Sequence, residues 1–154
     1  MSLLSVKEYL KEFNKENYII ELSKSTATVE LAAKALQVEP GRIAKTLSFK
    51  LEDTCILVVI AGDKKIDNRK YKEKFHLKAK MLSAEEVIDY TGHEIGGVCP
   101  FAITNSDIKI YCDISLKKYQ TVFPACGSQN SAIELTPEDL FLISKSIEWV
   151  DISK

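Results

Sequence analysis

The feature that most restricts the folds open to this chain is a run of apolar residues, CILVVIA, at positions 55–61. The run shows no alternation of apolar and polar residues, which is typical of a strand that other elements cover on both faces. A strand over residues 45–52 precedes it, and Glu52 and Asp53 indicate a tight turn between the two. The strand over residues 54–61 is therefore expected at the centre of a sheet.

Further helices and strands are predicted on both sides of this hairpin. Apolar spacing and capping residues predict helices over residues 6–15, 68–75 and 84–90, one from Val29 that ends before Pro40, and one from Pro137. Shorter strands are predicted over residues 18–22, 77–81, 108–114, 121–125, 132–135 and 147–152. Because the connections look short and hairpin-like, we expect an α+β fold with a mixed, largely antiparallel sheet and helices against it.

Length and composition favour one domain. The chain has 154 residues, the usual size of a domain, and we assign residues 1–154 to a single one. No apolar run reaches the roughly 20 residues that cross a bilayer, and the first residues lack a basic start followed by a signal core. We therefore expect a cytoplasmic protein with no membrane partner.

Several classes of site are excluded by missing motifs. The sequence has four cysteines without a C-x-x-C pair and two distant histidines, so neither a disulfide framework nor a metal site is expected. It also lacks G-x-G-x-x-G, G-x-x-x-x-G-K-[ST], H-E-x-x-H and G-x-S-x-G. Nucleotide-phosphate cradles, zincins and α/β-hydrolases are thereby excluded, and we expect no cofactor.

Charge is unevenly distributed along the chain. Residues 41–80 hold 11 Lys and Arg against 5 Asp and Glu, although the whole chain has a net charge of -1. This segment either is a solvated surface or contacts an anionic partner such as a phosphate backbone. The residues that we select as candidate tRNA contacts are Lys64, Lys65, Arg69, Lys70 and Lys74.

Lys45 is the first candidate for a functional side chain. Alternation along its strand places Lys45 on the same face as Leu47 and Phe49, which is the apolar side. A lysine is seldom buried without a partner, so we expect a packed stem and an ammonium group at the rim of the core. The ammonium group then either reaches solvent at the strand end or faces a pocket.

The second candidate is the glycine-rich segment GHEIGGVCPF at residues 92–101. Gly96 and Gly97 permit positive φ and a close approach of backbone to ligand, whereas Pro100 stiffens the segment. The segment is therefore either an ordinary turn or a backbone surface that faces a ligand. Cys99 and His93 could also form a nucleophile and base, but their spacing gives no evidence of contact.

Several segments in a fixed order resemble a known family. The order STATVELAAKALQVEPGRIAKTLSFK, then a strand, then GHEIGGVCPF, then the segment through SAIELTPEDL is similar to the YbaK/ProX family of aminoacyl-tRNA deacylases. The same domain occurs as the inserted editing domain of bacterial prolyl-tRNA synthetases. The resemblance covers roughly residues 25–145.

The resemblance implies a barrel-like sheet surrounded by helices and the hydrolysis, in trans, of amino acids wrongly attached to tRNA, with tRNA-Pro as the expected carrier. It implies tRNA as partner, with prolyl-tRNA synthetase as a second candidate, and no metal. It places the functional lysine at Lys45 and the G-x-x-x-P loop at residues 96–100. The predicted substrate-binding residues are Thr46, His93, Gly96, Gly97, Val98, Cys99 and Pro100.

The sequence departs from relatives that deacylate Cys-tRNA. Ala125 and Ala132 stand where those relatives have a serine and an aspartate, so their preference for cysteine is not carried over. Cys99 and Ala102 stand where many relatives have serine and glycine. The alternative to a deacylase is a non-catalytic module that binds a tRNA end or an aminoacyl ligand.

Overall fold

The computed structural model describes residues 2–154, which form five α-helices, three short 3-10 helices and seven strands. The helices are α1 (Ser2–Lys11), α2 (Val29–Leu36), α3 (Asn68–Phe75), α4 (Ala84–Thr91) and α5 (Pro137–Ile143). The strands are β1 (Ile20–Glu21), β2 (Ile43–Leu51), β3 (Thr54–Ala61), β4 (Lys109–Asp113), β5 (Phe123–Pro124), β6 (Ser131–Ala132) and β7 (Glu148–Val150). No helix in the described part is both long and apolar enough to cross a membrane.

Five strands form the main sheet in the order β5-β2-β3-β4-β7, which curls into a half-barrel, and β1 pairs with β6 in a separate ribbon. The expected mixed α+β fold is confirmed. The expectation that the sheet is largely antiparallel is wrong, since only β2 and β3 pair antiparallel and the other three pairs are parallel. Only the turn at Glu52 and Asp53 is short enough for a hairpin, and the longer excursions allow crossover connections.

The central strand β3 is covered on both faces, as its apolar sequence predicted. Residues 55–61 are all buried. On one face Phe49, Ile56, Val58 and Ile60 pack around Tyr71 of α3. On the other face Val59 and Ala61 join a core that α1 and α5 also enter. The sheet therefore separates two apolar layers.

Local capping chemistry fixes most helix starts where the sequence predicted them. Thr28 accepts a hydrogen bond from the Leu31 amide at the start of α2, and Asp67 caps α3. Ser83 forms a capping box with Glu86 at the start of α4. Thr136 caps α5, where Pro137 occupies the first turn.

Other boundaries differ from the predictions. Helix α1 covers Ser2–Lys11 rather than residues 6–15, because the chain turns at Asn14, which has a φ of 58°. No strand forms over residues 77–81, where a single bridge joins Met81 to Phe49. The later strands are shorter than predicted, since tertiary pairing determines their length and a periodic pattern does not report it.

Candidate functional site

A cavity of about 230 Å³ lies between α2, the outer edge of β2 and the glycine-rich loop. Its apolar walls come from three groups of side chains: Val29, Ala32 and Leu36 on α2; Leu82 and Val87 around the start of α4; and Phe123 on β5, Ala125 just after it and Ala132 on β6. Pockets that bind drug-sized ligands span about 300–1,000 Å³, so this cavity suits a smaller molecule.

The cavity lies at an interruption in the pairing of β2. Strand β5 pairs with β2 only at Ile43 and Ala44. Pairing on this edge resumes where the Leu82 amide donates to the Ser48 carbonyl and the Lys50 amide donates to the Lys80 carbonyl. Because residues two apart in a strand direct their backbone groups to the same side, the N–H and C=O of Thr46 also point outward, into this gap.

Lys45 lines the same cavity from the end of the gap. Its ammonium Nζ donates to the carbonyl oxygen of Gly62 at 3.3 Å and to that of Lys64. Register confirms the predicted face of the strand, since Lys45 lies opposite Ile60. Burial lowers the pKa of the Lys45 ammonium, and Asp63 and Glu30 partly oppose that shift. A half-buried cation is thereby fixed at the wall of the cavity.

Two threonines of the lining, Thr26 and Thr46, have buried hydroxyl groups. Neither Oγ1 atom has a hydrogen-bond partner within residues 2–154. Ser48 also lines the cavity and is 5% exposed. The lining contains no carboxylate, imidazole or thiol among the described residues. The cavity is therefore apolar with a few hydroxyls and one ammonium group.

The two loop glycines have different surroundings. Gly96 has a φ of 95° and lines the cavity beside Ile95. A Cβ added to Gly97 would lie 2.8 Å from the carbonyl carbon of Gly127 and from the amide nitrogen of Ser128. Gly97 is thus required for backbone-to-backbone packing, and the space beside its Cα is filled by protein rather than left for a ligand.

His93 and Cys99 lie close together but behind the cavity wall. The Cys99 Sγ atom is 3.5 Å from His93 Nε2, which also lies 2.8 Å from the Phe101 carbonyl oxygen. The other ring nitrogen of His93 bonds the Ser2 hydroxyl. Burial lowers the pKa of His93 and raises the pKa of Cys99 to about 12. Both side chains are buried and neither lines the cavity, which favours a structural role.

The remaining candidate residues of the loop, Val98 and Pro100, lie in different places. Val98 lines the cavity together with Lys45, Thr46 and Gly96. Pro100 instead borders a second cavity that includes Tyr9. The structure therefore brings together four of the predicted site residues and sets the other four, His93, Gly97, Cys99 and Pro100, outside the lining.

The basic segment is partly neutralised. Lys70 pairs with Asp151 at 3.1 Å, Lys74 pairs with Glu148 at 2.7 Å, and Arg69 pairs with Glu73. Lys64 and Lys65 are not among the ion pairs of residues 2–154. The Lys64 carbonyl accepts a hydrogen bond from the Lys45 ammonium. Lys64 and its neighbour Lys65 therefore lie next to the candidate site.

Sequence reasoning misses Thr26 and the apolar stripe of α2 as parts of the site. From the sequence, Thr26 is only a possible helix cap, a role that Thr28 fills. The available signal is the apolar spacing of Val29, Ala32 and Leu36, which by itself predicts packing against a sheet. Those three side chains do face inward, but the surface that they meet includes the cavity.

Comparison with known proteins identifies the family. The sequence profile described as "Aminoacyl-tRNA editing domain" matches residues 23–142. The "Uncharacterized protein YwhH" of Bacillus subtilis (strain 168) is 55% identical over 155 residues, with 100% of this chain and 98% of the relative covered. The proline–tRNA ligase of Geobacillus sp. (strain WCH70) is 30% identical over 129 residues, which cover 81% of this chain but 22% of the ligase.

Solved structures agree with this result. One is described as that of "a putative trans-editing enzyme for prolyl tRNA synthetase" and has a TM-score of 0.88 at 28% identity, covering 99% of this chain and 97% of the other. Another, the "hypothetical protein APE2540", has a TM-score of 0.85 at 28% identity, covering 97% and 99%. With the fold, the cavity and the profile match in agreement, this chain belongs to the aminoacyl-tRNA editing domain family.

Proposed function

We propose that the protein is a trans-acting deacylase that hydrolyses the ester bond of mischarged tRNA, with tRNA-Pro as the expected carrier. The observation that carries the proposal is that Lys45, Thr46 and Gly96 open onto one small cavity in a chain of the editing family. The similarity to proline–tRNA ligases and to the trans-editing structure supports the choice of tRNA.

The reaction requires water to attack the ester carbonyl carbon. The bond from that carbon to the ribose oxygen then breaks, the ribose oxygen takes a proton to become a hydroxyl, and a free amino acid and tRNA leave. Backbone N–H groups directed at the developing oxyanion would stabilise the transition state. The outward N–H of Thr46 is the candidate donor, because strand β5 leaves this stretch of β2 unpaired.

Lys45 supplies the fixed positive charge in this proposal. An ammonium group held by two backbone carbonyls is poised to contact an anionic or polar group at the acceptor end of the tRNA. Among residues 2–154, the lining offers no carboxylate or imidazole that could act as general base. We therefore assign water activation to a group of the substrate itself, such as a hydroxyl of the terminal ribose.

The cavity can hold the acyl group. A space of about 230 Å³ with alanines at positions 32, 125 and 132 has room for a small amino acid. Selection by size alone is weak, since one methylene changes the discrimination by only about 1–3 kcal/mol. A separate hydrolytic site of this kind removes small amino acids that a synthetase has wrongly attached to tRNA.

The test is a deacylation panel with tRNA-Pro carrying different amino acids. Purified protein should release small amino acids faster than the uncatalysed reaction does. A panel in which no ester is lost, although the tRNA binds in a saturable and salt-sensitive way, would instead support a binding module. That alternative is favoured by one observation, the absence of a general base from the lining.

A further inference from the structure

The cavity of the candidate site opens to solvent beside two exposed apolar side chains. Of its lining residues within positions 2–154, only Thr28, Met81 and Ile95 are exposed. A residue that lines a cavity and is also exposed lies at the opening, so these three residues mark the mouth. Met81 is 57% exposed and Ile95 is 56% exposed. Single exposed apolar residues are common, but two that border one opening form a surface for an apolar ligand.

The sheet edge holds Met81 on one side of the mouth. The Lys50 amide donates to the Lys80 carbonyl at 2.8 Å, and the Leu82 amide donates to the Ser48 carbonyl at 3.2 Å. These two bonds fix the backbone on both sides of Met81 against β2, while its side chain stays exposed. A thioether side chain is flexible and polarisable, so it can adapt to the face of a flat ring.

Different contacts hold Ile95. Its carbonyl oxygen accepts a hydrogen bond from Gln129 Nε2 at 3.2 Å. A Cβ added to Gly96 would lie 3.1 Å from the Cβ of Ala27, so the loop touches the residues that precede α2. The hydroxyl of Thr28, next in the chain, already accepts an amide hydrogen bond as the cap of α2. The mouth thus offers two apolar side chains on separately held segments.

Charges beside this pair of side chains are balanced. Lys80 precedes Met81 and Glu94 precedes Ile95, and both charged residues are exposed. The cation of the lining, Lys45, donates to two backbone carbonyls. An apolar pair flanked by one cation and one anion suits the uncharged face of a ring better than a phosphate group.

The proposed substrate is far larger than the cavity. A space of about 230 Å³ has room for an aminoacyl group but not for the tRNA that carries it. The ester bond must therefore lie near the mouth, with the terminal ribose and its base outside. Because only this ribose separates the base from the ester, the terminal nucleoside is the part of the tRNA nearest to Met81 and Ile95.

We propose that Met81 and Ile95 hold the 3′-terminal base of the tRNA between their side chains while the acyl group occupies the cavity. This inference rests on the proposed function and assigns two residues that position its substrate. Bases are bound by stacking on apolar as well as aromatic side chains. Such contacts use the face of the base rather than its edges, so they contribute affinity and orientation without reading sequence.

The test is a double-mutant cycle between protein and substrate. Wild type and the Met81→Ala, Ile95→Ala double variant are compared on two alanyl-minihelices, one complete and one abasic at the terminal nucleotide. On the complete substrate, the double variant should raise KM at least about tenfold and change kcat less. Removal of the base should raise the KM of wild type by a similar factor. The two losses should not add, because each removes the same contact.

Ile88→Ala is the matched control. Ile88 is 47% exposed but does not line the cavity, so its replacement should leave KM for the complete substrate unchanged. Thermal melts verify that each variant is folded. Losses that add fully in the cycle, or a double variant with the KM of wild type, would overturn the inference.

A second measurement separates this inference from the proposed function. Binding of the amide analogue 3′-alanylamino-3′-deoxyadenosine and of its abasic counterpart is measured by calorimetry, which requires no hydrolysis. Absence of ester loss on every charged tRNA would overturn the deacylase proposal, while base-dependent binding that the double variant loses would still support the assignment of the mouth. An abasic analogue that binds wild type as tightly as the complete one would refute that assignment.

Discussion

The ammonium group of Lys45 lies 3.3 Å from the carbonyl oxygen of Gly62, just beyond the end of the strand that pairs with its own. The side chain is thus held at the cavity wall by backbone groups rather than by a carboxylate partner. Its position depends on the β2–β3 hairpin, which is the best paired part of the sheet.

Replacing Lys45 by methionine tests its role in the reaction. Methionine retains most of the packed stem but removes the charge, so kcat/KM for deacylation should fall by at least about tenfold. Removal of the charge also relieves the cost of its burial, which offsets the lost hydrogen bonds. The melting temperature should therefore stay nearly unchanged, and an active Lys45→Met protein would refute the assigned role.

Gly97 should be the less replaceable of two glycines in the loop region. In Gly97→Ala the new Cβ meets backbone of Gly127 and Ser128 at 2.8 Å, which cannot move aside as a side chain can. We expect a loss of about 3 kcal/mol in unfolding free energy, at the upper end for overpacking. Gly92→Ala is the control, since its Cβ would meet nothing within 4 Å and only the positive φ costs about 1 kcal/mol. Equal losses in denaturant melts would contradict this account.

None of the four cysteines should react readily in the native protein. All four cysteines are free and buried, and burial raises the pKa of Cys99 to about 12. A thiol reagent should therefore label none of them quickly in the native state and all four after denaturation. Cys99→Ala should retain deacylation. Rapid inactivation by alkylation, together with an inactive Cys99→Ala variant that melts like the wild type, would revive the nucleophile hypothesis.

Binding of tRNA to the basic segment should depend more on Lys64 and Lys65 than on the lysines that are held in ion pairs. We propose that Lys64 and Lys65 contact tRNA phosphates, whereas Lys70 and Lys74 are held by Asp151 and Glu148. Lys64→Ala with Lys65→Ala should weaken tRNA binding and reduce the salt dependence by about 0.7–0.9 per lost phosphate contact. Lys70→Ala with Lys74→Ala removes the same charge and should have a smaller effect. The reverse order in a salt titration would contradict the assignment.

Acid should weaken the start of α4. Hydrogen bonds from Lys50 and from the Ser83 amide lower the pKa of Glu86 to about 2 from 4.5. A depressed carboxyl pKa gives stability that is complete above 4.5 and is lost as the pH falls through about 2. Glu86→Gln keeps the capping geometry without the charge, so it should melt about 1–3 °C below wild type at pH 6. The gap should narrow between these two pH values, and a gap independent of pH would disprove the electrostatic origin.

Features set by neighbouring residues could be predicted from the sequence. The caps at Asp67, Ser83 and Thr136 depend on side chains within three residues, and the face of Lys45 follows from strand alternation. The cavity could not be predicted in this way. It exists because β5 leaves β2 after Ala44, a pairing between segments about 80 residues apart. Long-range pairing also determines that three of the four strand pairs in the main sheet are parallel.

The close packing of Gly97 against the backbone of residues 127–128 also limits how the cavity can change during evolution. The backbone leaves no space for added atoms there, so a single substitution of Gly97 should destabilise the protein. The wall residues Val29, Ala125 and Ala132 contribute only replaceable side chains. New preferences for the acyl group are therefore most accessible through these wall positions, with the scaffold inherited intact.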